Sequence, residues 1–225
     1  PGPVKEALSP RIKEAAIELW KIYMILTVLE IGALLLVTSN MTLFDAITTS
    51  FSTISTGGLS VRNSSIASFN SEWVEWVVIV FMALGSINFS LYYFVFRGKF
   101  YRLNDRELWI HLCLLLTFSM AISYFILGAP KIDLQGNTQG TYSAAEALRH
   151  GIFQSVSGQT STGFVTIDFD LWPYLPQVLL LIAMYVGGMS GSTSGGMKTI
   201  RLYMLFKIAQ NKSESVFRPE SIRTL

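Results

Sequence analysis

A single cysteine, Cys113, and two histidines, His111 and His150, limit what this chain can do. One thiol cannot close an intrachain disulfide and cannot build a cysteine-ligated metal centre. The two imidazoles stand far apart and form no metal-binding spacing. Cys113 falls inside an apolar run and is expected to serve packing; His111, near the start of that run, is expected at the membrane interface, and His150 against a neighbouring repeat. Charge is scarce too: Asp, Glu, Lys and Arg make up 14% of the 225 residues, well below a soluble domain. With 17 basic and 15 acidic residues the net charge is only +2, which gives no reason to expect a nucleic-acid partner. Neither a Ser-His-Asp spacing nor a catalytic carboxylate pair is visible, so no enzyme is expected.

What is present is apolar: hydrophobic residues make up 51% of the chain, and the mean hydropathy is +0.44. About 20 apolar helical residues cross a bilayer. Four stretches qualify, 20–38, 74–96, 108–127 and an interrupted 174–206, which predicts an all-α, multi-pass protein of the lipid bilayer. Two shorter stretches, 41–51 and 142–156, are too short to cross and predict re-entrant half-helices. Basic residues collect on the cytoplasmic side of membranes. Lys5, Arg11, Lys13 and Lys21 precede the first span, and Arg97, Lys99, Arg102 and Arg106 join the second to the third. Lys198, Arg201, Lys207, Lys212, Arg218 and Arg223 lie at or beyond the end of the fourth. Four crossings put all three clusters on one face, predicted cytoplasmic. Trp73, Trp76, Trp109, Trp172 and Tyr174 fall at span ends, where interfacial anchors belong. Upstream of the first span the sequence shows no cleavable signal pattern. Glu30, inside the first span, is expected to pack against a neighbouring helix, and Asp168 and Asp170 are expected to be solvated loop acids.

A short motif occurs twice, Ser55-Thr56-Gly57-Gly58-Leu59-Ser60 and Ser161-Thr162-Gly163-Phe164-Val165-Thr166, each time after a half-length apolar stretch and before a long one. The repeating unit is therefore helix, re-entrant helix, Ser/Thr-Gly loop, helix. Irregular backbone at membrane depth is tolerated where it lines a watery cavity, and hydroxyl-rich glycine loops there can turn carbonyls toward a dehydrated cation. In the first unit Thr38, Ser39 or Asn40 is expected to cap a helix starting near Thr42, with Asp45 in its first turns; in the second, Ser143 caps and Glu146 follows. Overlaying the two Ser-Thr-Gly tripeptides pairs Gly57 with Gly163.

The fourth apolar stretch is interrupted by Gly187-Gly188-Met189-Ser190-Gly191-Ser192-Thr193-Ser194-Gly195-Gly196. Each glycine costs about 1 kcal/mol relative to alanine in a helix, so the helix is expected to break here. An alternative from another class is a phosphate-binding loop, since residues 191–199 approximate G-x-x-x-x-G-K-[ST] and would imply a membrane-embedded nucleotide-binding enzyme. Met197 stands between Gly196 and Lys198, which that motif does not allow, and an apolar helix rather than a buried strand precedes it.

The segments STISTGGLS, Gly-Ser-Ile-Asn-Phe at residues 85–89, QTSTGF and GGMSGSTSGGMK resemble the Trk/Ktr/HKT superfamily of potassium transporters over essentially the whole chain. In that family four helix-pore-helix repeats surround one pore, and this chain resembles the second and third. The resemblance divides it into a cytoplasmic segment 1–18, a repeat 19–106, a repeat 107–209 and a cytoplasmic segment 210–225. It implies a potassium uptake function, with Ile54, Ser55, Thr56, Gly57, Thr160, Ser161, Thr162 and Gly163 binding K⁺ in the selectivity filter. It further implies an intramembrane gate formed by Gly187, Gly188, Gly191, Ser192, Thr193, Ser194, Gly195, Gly196 and Lys198. A homodimer with one pore per protomer, a cytosolic nucleotide-binding regulatory ring, residence in the bacterial inner membrane and no cofactor beyond the transported K⁺ follow from the same resemblance. A Na⁺-permeable relative of the same fold is the alternative.

Overall fold

The computed structural model describes residues 4–132 and 138–217, so the charges expected at Arg218 and Arg223 lie outside the described residues. Helix α1 (Val4–Val37) leads into α2 (Leu43–Ile54), α3 (Glu72–Gly85) and α4 (Phe89–Phe96). The second half repeats the order with α5 (Arg106–Ile126), α6 (Ala144–Gln159), α7 (Tyr174–Tyr185) and α8 (Thr199–Phe217). A small antiparallel hairpin, β1 (Pro130–Ile132) and β2 (Thr138–Thr141), stands between α5 and α6 and was not expected from the sequence.

Among the described residues two helices are long and apolar enough to cross a membrane, Lys13–Val37 within α1 and Arg106–Ile126; α3 and α4 together make a third candidate. The expectation of one continuous span over 74–96 is corrected: α3 and α4 meet at 92°. Apolarity carries through the corner, but Ser86, Ile87 and Asn88 leave the helix, and the Asn88 side chain accepts from the Ser90 amide to cap α4. The fourth stretch breaks where its glycines predict, between α7 and α8.

The half-helices begin as their sequences dictate. Thr42 itself caps α2, two to four residues past the expected Thr38, Ser39 or Asn40; it accepts the Asp45 amide at 3.1 Å while Asp45 accepts the Thr42 amide at 3.2 Å. Ser143 and Glu146 repeat this reciprocal capping box at the start of α6. Such caps contribute about 1 kcal/mol each.

Both halves share one core. Leu34 of α1, Ala46 of α2, Val74, Val78 and Met82 of α3, Leu115 of α5 and Phe153 and Val156 of α6 are packed together, and Phe164, after α6, is buried among them. In a lipid surround the gain from such contacts is dispersion and close fit rather than escape from water. Trp172 belongs to a second cluster with Ile122, Ile126, Ala147 and Leu180, so it is a core residue and not the expected interfacial anchor; Trp73, Trp109 and Tyr174 remain exposed.

Candidate functional site

Each half-helix delivers its C-terminal carbonyls, the negative end of its dipole, to the start of a Ser/Thr-Gly segment. Beyond α2, the Thr56 amide bonds to the Thr53 carbonyl and the Gly57 amide to the Ser52 carbonyl; beyond α6, Ser161 bonds to Gly158 and Thr162 to Ser157 in the same way. Thr56 and Ser161, each two residues past its helix, have φ of +52° and +58°. Left-handed backbone is uncommon for residues with side chains and marks imposed local geometry.

These bonds correct the correspondence between the repeats by one residue. Thr56 matches Ser161, Gly57 matches Thr162, and the glycine equivalent to Gly163 is Gly58, with φ of +64° for Gly58 and +83° for Gly163. Tripeptide identity suggested Gly57; helix-end hydrogen bonding sets the true register. Gly58 was missed as a candidate, although a usable signal was present, since Gly58-Leu59 and Gly163-Phe164 are both glycine followed by a large apolar residue.

The carbonyls of Thr56, Gly57, Gly58, Thr160, Ser161, Thr162 and Gly163 accept no hydrogen bond among the described residues. The two segments also touch: a Cβ on Gly58 would lie 1.7 Å from the Thr162 carbonyl oxygen. Side chains behind them fix the backbone. Ser157 Oγ donates to the Phe164 carbonyl at 2.7 Å, Gln154 Nε2 to the Ile167 carbonyl at 3.3 Å, and His150 Nδ1 and Thr166 Oγ1 share a hydrogen bond. From the first half, Ser65 Oγ accepts the Val165 amide at 3.2 Å.

Charges brace the starts of both half-helices. Arg62 donates to Asp45 at 2.7 Å and, with Thr42, holds its carboxyl down to about 2. Lys131 does the same for Glu146 at 2.6 Å, with Ser143 assisting, again to about 2. Arg149 of α6 reaches across to Glu72 and, at 2.9 Å, Glu75 of α3.

The segment between α7 and α8 is a compact loop seated against both repeats. Its ends meet in a parallel bridge between Val186 and Met197, with the Gly187 amide bonded to the Met197 carbonyl. Thr193 Oγ1 donates to the Ile54 carbonyl at 2.8 Å, at the last residue of α2, and lies 3.0 Å from the Gly85 carbonyl. At the other repeat, a Cβ on Gly195 would lie 3.1 Å from Ser161 Oγ. Ile54 and Ser161 are thus joined to one loop. The glycines have steric reasons: a Cβ on Gly187 would come within 2.1 Å of the Gly195 carbonyl, and one on Gly188 within 2.8 Å of the Ser86 carbonyl. Lys198 Nζ turns back onto the loop, donating to the carbonyls of Ser192 and Ser194. It is a tie within the loop and does not reach away from it.

The corner at Ser86–Asn88 docks on this loop. The Met189 amide bonds to the Ser86 carbonyl and the Phe89 amide to the Gly191 carbonyl. Two broken helices, one per repeat, therefore interlock. His111 is fully buried beside this junction, not interfacial. Glu30 is fully buried beside Thr53 of α2, in keeping with a packing role. The phosphate-loop alternative lacks its structural context, since α7 and not a buried strand precedes residues 191–199. Among the described residues no cluster of three or more His, Cys, Asp or Glu could hold a metal.

Known proteins share this sequence pattern and fold. The Trk system potassium uptake protein TrkH of Halomonas elongata is 34% identical over 99% of this chain and 44% of its own length. TrkG of Escherichia coli K12 is 33% identical, also over 99% and 44%. The crystal structure of the potassium transporter TrkH from Vibrio parahaemolyticus superposes with a TM-score of 0.85 at 32% identity, covering 96% of this chain and 45% of that one. The chain thus spans less than half the length of these relatives. The family model for the cation transport protein TrkH matches residues 4–225, and the chain belongs to this family of transporters, which is not an enzyme family.

Proposed function

We propose that this chain supplies two of the four filter segments of a potassium uptake transporter, together with the gate beneath them. One observation carries it: two matched segments follow the half-helices, their carbonyls accept no hydrogen bond among the described residues, and a single glycine loop contacts both. Unpaired backbone acceptors at membrane depth are costly unless they replace the hydration shell of a cation. On this assignment the carbonyls of Thr56 to Gly58 and of Thr160 to Gly163 line the filter, with Ile54 and Ser55 at its inner edge. Gly187 to Lys198 form the gate. Residues 19–106 and 107–209 are the two repeats, the basic loops face the cytoplasm of a bacterial inner membrane, and the whole transporter is a homodimer that engages a cytosolic nucleotide-binding ring. The transported K⁺ is substrate, and no resident cofactor is invoked.

Deletion of Gly191 to Gly195 in the complete transporter tests the assignment, with K⁺ flux into liposomes measured at matched amounts of folded protein. A gate predicts higher flux with the K⁺/Na⁺ preference retained. Equal or lower flux in a folded variant assigns the glycines to helix packing instead.

A further inference from the structure

Residues 188–191 are held by a helix that takes no part in the filter or the loop. Glu107 and His111 stand one turn apart on the same face of α5, both buried, at 8% and 0% exposure. A Glu107 carboxylate oxygen accepts the Ser190 amide at 2.6 Å, a side-chain bond to the loop from outside it. Glu107 also lies within electrostatic reach of Lys198, the loop's internal tie.

His111 holds the two hinges. The Ser86 hydroxyl has one proton and gives it to the Ala83 carbonyl at 2.7 Å, so its oxygen is left to accept from His111 Nε2 at 2.8 Å. The hydrogen-bond network thereby assigns the Nε2–H tautomer and leaves Nδ1 as an acceptor. Nδ1 faces Thr199 Oγ1 at 3.4 Å, and that hydroxyl also lies 3.2 Å from the Gly187 carbonyl. One imidazole thus bonds to the corner between α3 and α4 and lies beside the first residue of α8.

We propose that Glu107 and His111 are positioning residues that latch the loop of residues 187–198 in its place beneath the filter. The latch rests on the assignment of that loop as the gate. α5 crosses without a break, so it can serve as the fixed frame against which two broken helices are held. Freeing the Ser190 amide removes a bond to the loop itself, and freeing the Ser86 hydroxyl loosens the corner on which Met189 and Gly191 are docked, so either change shifts the population toward an unseated loop. Neither residue touches the filter carbonyls, so ion preference is unaffected.

The complete transporter in liposomes decides the matter. Glu107→Ala and His111→Asn are each expected to raise K⁺ flux roughly tenfold, the shift that loss of one hydrogen bond to a charged or buried partner allows. Glu107→Gln keeps an acceptor for the Ser190 amide and is expected to stay within about twofold of the parent protein. Amide exchange at residues 188–191 should quicken in Glu107→Ala and His111→Asn, and the K⁺/Na⁺ ratio should not move. Folded variants with parental flux, while deletion of Gly191 to Gly195 raises flux, would overturn the latch and leave the gate standing. Parental flux in the deletion as well would sink the gate and the latch together. Should Glu107→Ala not fold, unchanged exchange at residues 188–191 in His111→Asn overturns the latch.

Discussion

The first half of the chain, α1 to α4, and the second, α5 to α8, are alike where they enter their Ser/Thr-Gly segments and unlike further on. Both half-helices start at a capping box whose acid is gripped by a basic side chain, Arg62 on Asp45 and Lys131 on Glu146. Both end with a left-handed residue two positions on. Beyond the Ser/Thr-Gly segments, the first half turns a single corner at Ser86–Asn88, whereas the second unwinds from Val186 to Lys198. On the proposed assignment, coordinating one ion from several sides demands the same backbone from each segment, but a moving part is needed only once. The short break then serves as the dock for the long one.

The glycines sharpen this comparison. Gly58 and Gly163 hold equivalent left-handed positions, yet a Cβ on Gly58 meets the Thr162 carbonyl while one on Gly163 meets nothing within 4 Å. The largest effect is therefore expected from Gly58→Ala, which adds a backbone clash to conformational strain. K⁺/Na⁺ discrimination in the complete transporter should collapse, with a lower yield of folded protein. Gly163→Ala carries the strain alone, about 1 kcal/mol, and should lower the K⁺/Na⁺ permeability ratio only in part while the protein still folds. Gly57 has neither a left-handed backbone nor a closer neighbour than Ser55 Oγ at 3.2 Å. Gly57→Ala should change selectivity least of the three. The reverse order between Gly57 and Gly58 in permeability measurements would restore the Ser-Thr-Gly overlay and break the pairing of Gly58 with Gly163.

The modules also share a dependence on pH at their entrances. Asp45 and Glu146 are held at about 2, below their ordinary values of 3.8 and 4.5, chiefly by Arg62 and Lys131 respectively. A depressed carboxyl stabilises the fold fully above its unfolded pKa and loses that contribution as the pH falls through its folded one. Thermal unfolding in detergent should therefore show stability falling between pH of about 4.5 and 2, with a shallower fall in Arg62→Ala and Lys131→Ala. An unchanged slope in both variants would show that these pairs are mere surface contacts.

What the sequence made legible was local. The Ser143–Glu146 cap, half-length apolar stretches and a glycine-rich interruption each act within a few residues, so the half-helices and the break after α7 can be placed from the order of the residues alone, although α2 is capped by Thr42 and not by Thr38, Ser39 or Asn40. The corner at Ser86–Asn88 escaped, because the run remains apolar through it and its backbone groups are satisfied by Met189, Gly191 and Thr193, far away in the chain. Glu107 and His111 escaped for the same reason. Their spacing shows a shared helix face, but only the packed fold shows that the face meets the loop and the corner. Gly58 is hidden from the Ser-Thr-Gly overlay because identical residues need not hold the same place relative to the hydrogen bonds that end a helix.

The central claim is that two segments from this chain hold one ion pathway between them. Anomalous scattering from crystals of the complete transporter soaked in rubidium, a close substitute for potassium, tests it most directly. Peaks are predicted between the carbonyls of Thr56 to Gly58 on one side and those of Thr160 to Gly163 on the other. Ordered rubidium found elsewhere, with none beside these carbonyls, would contradict the account.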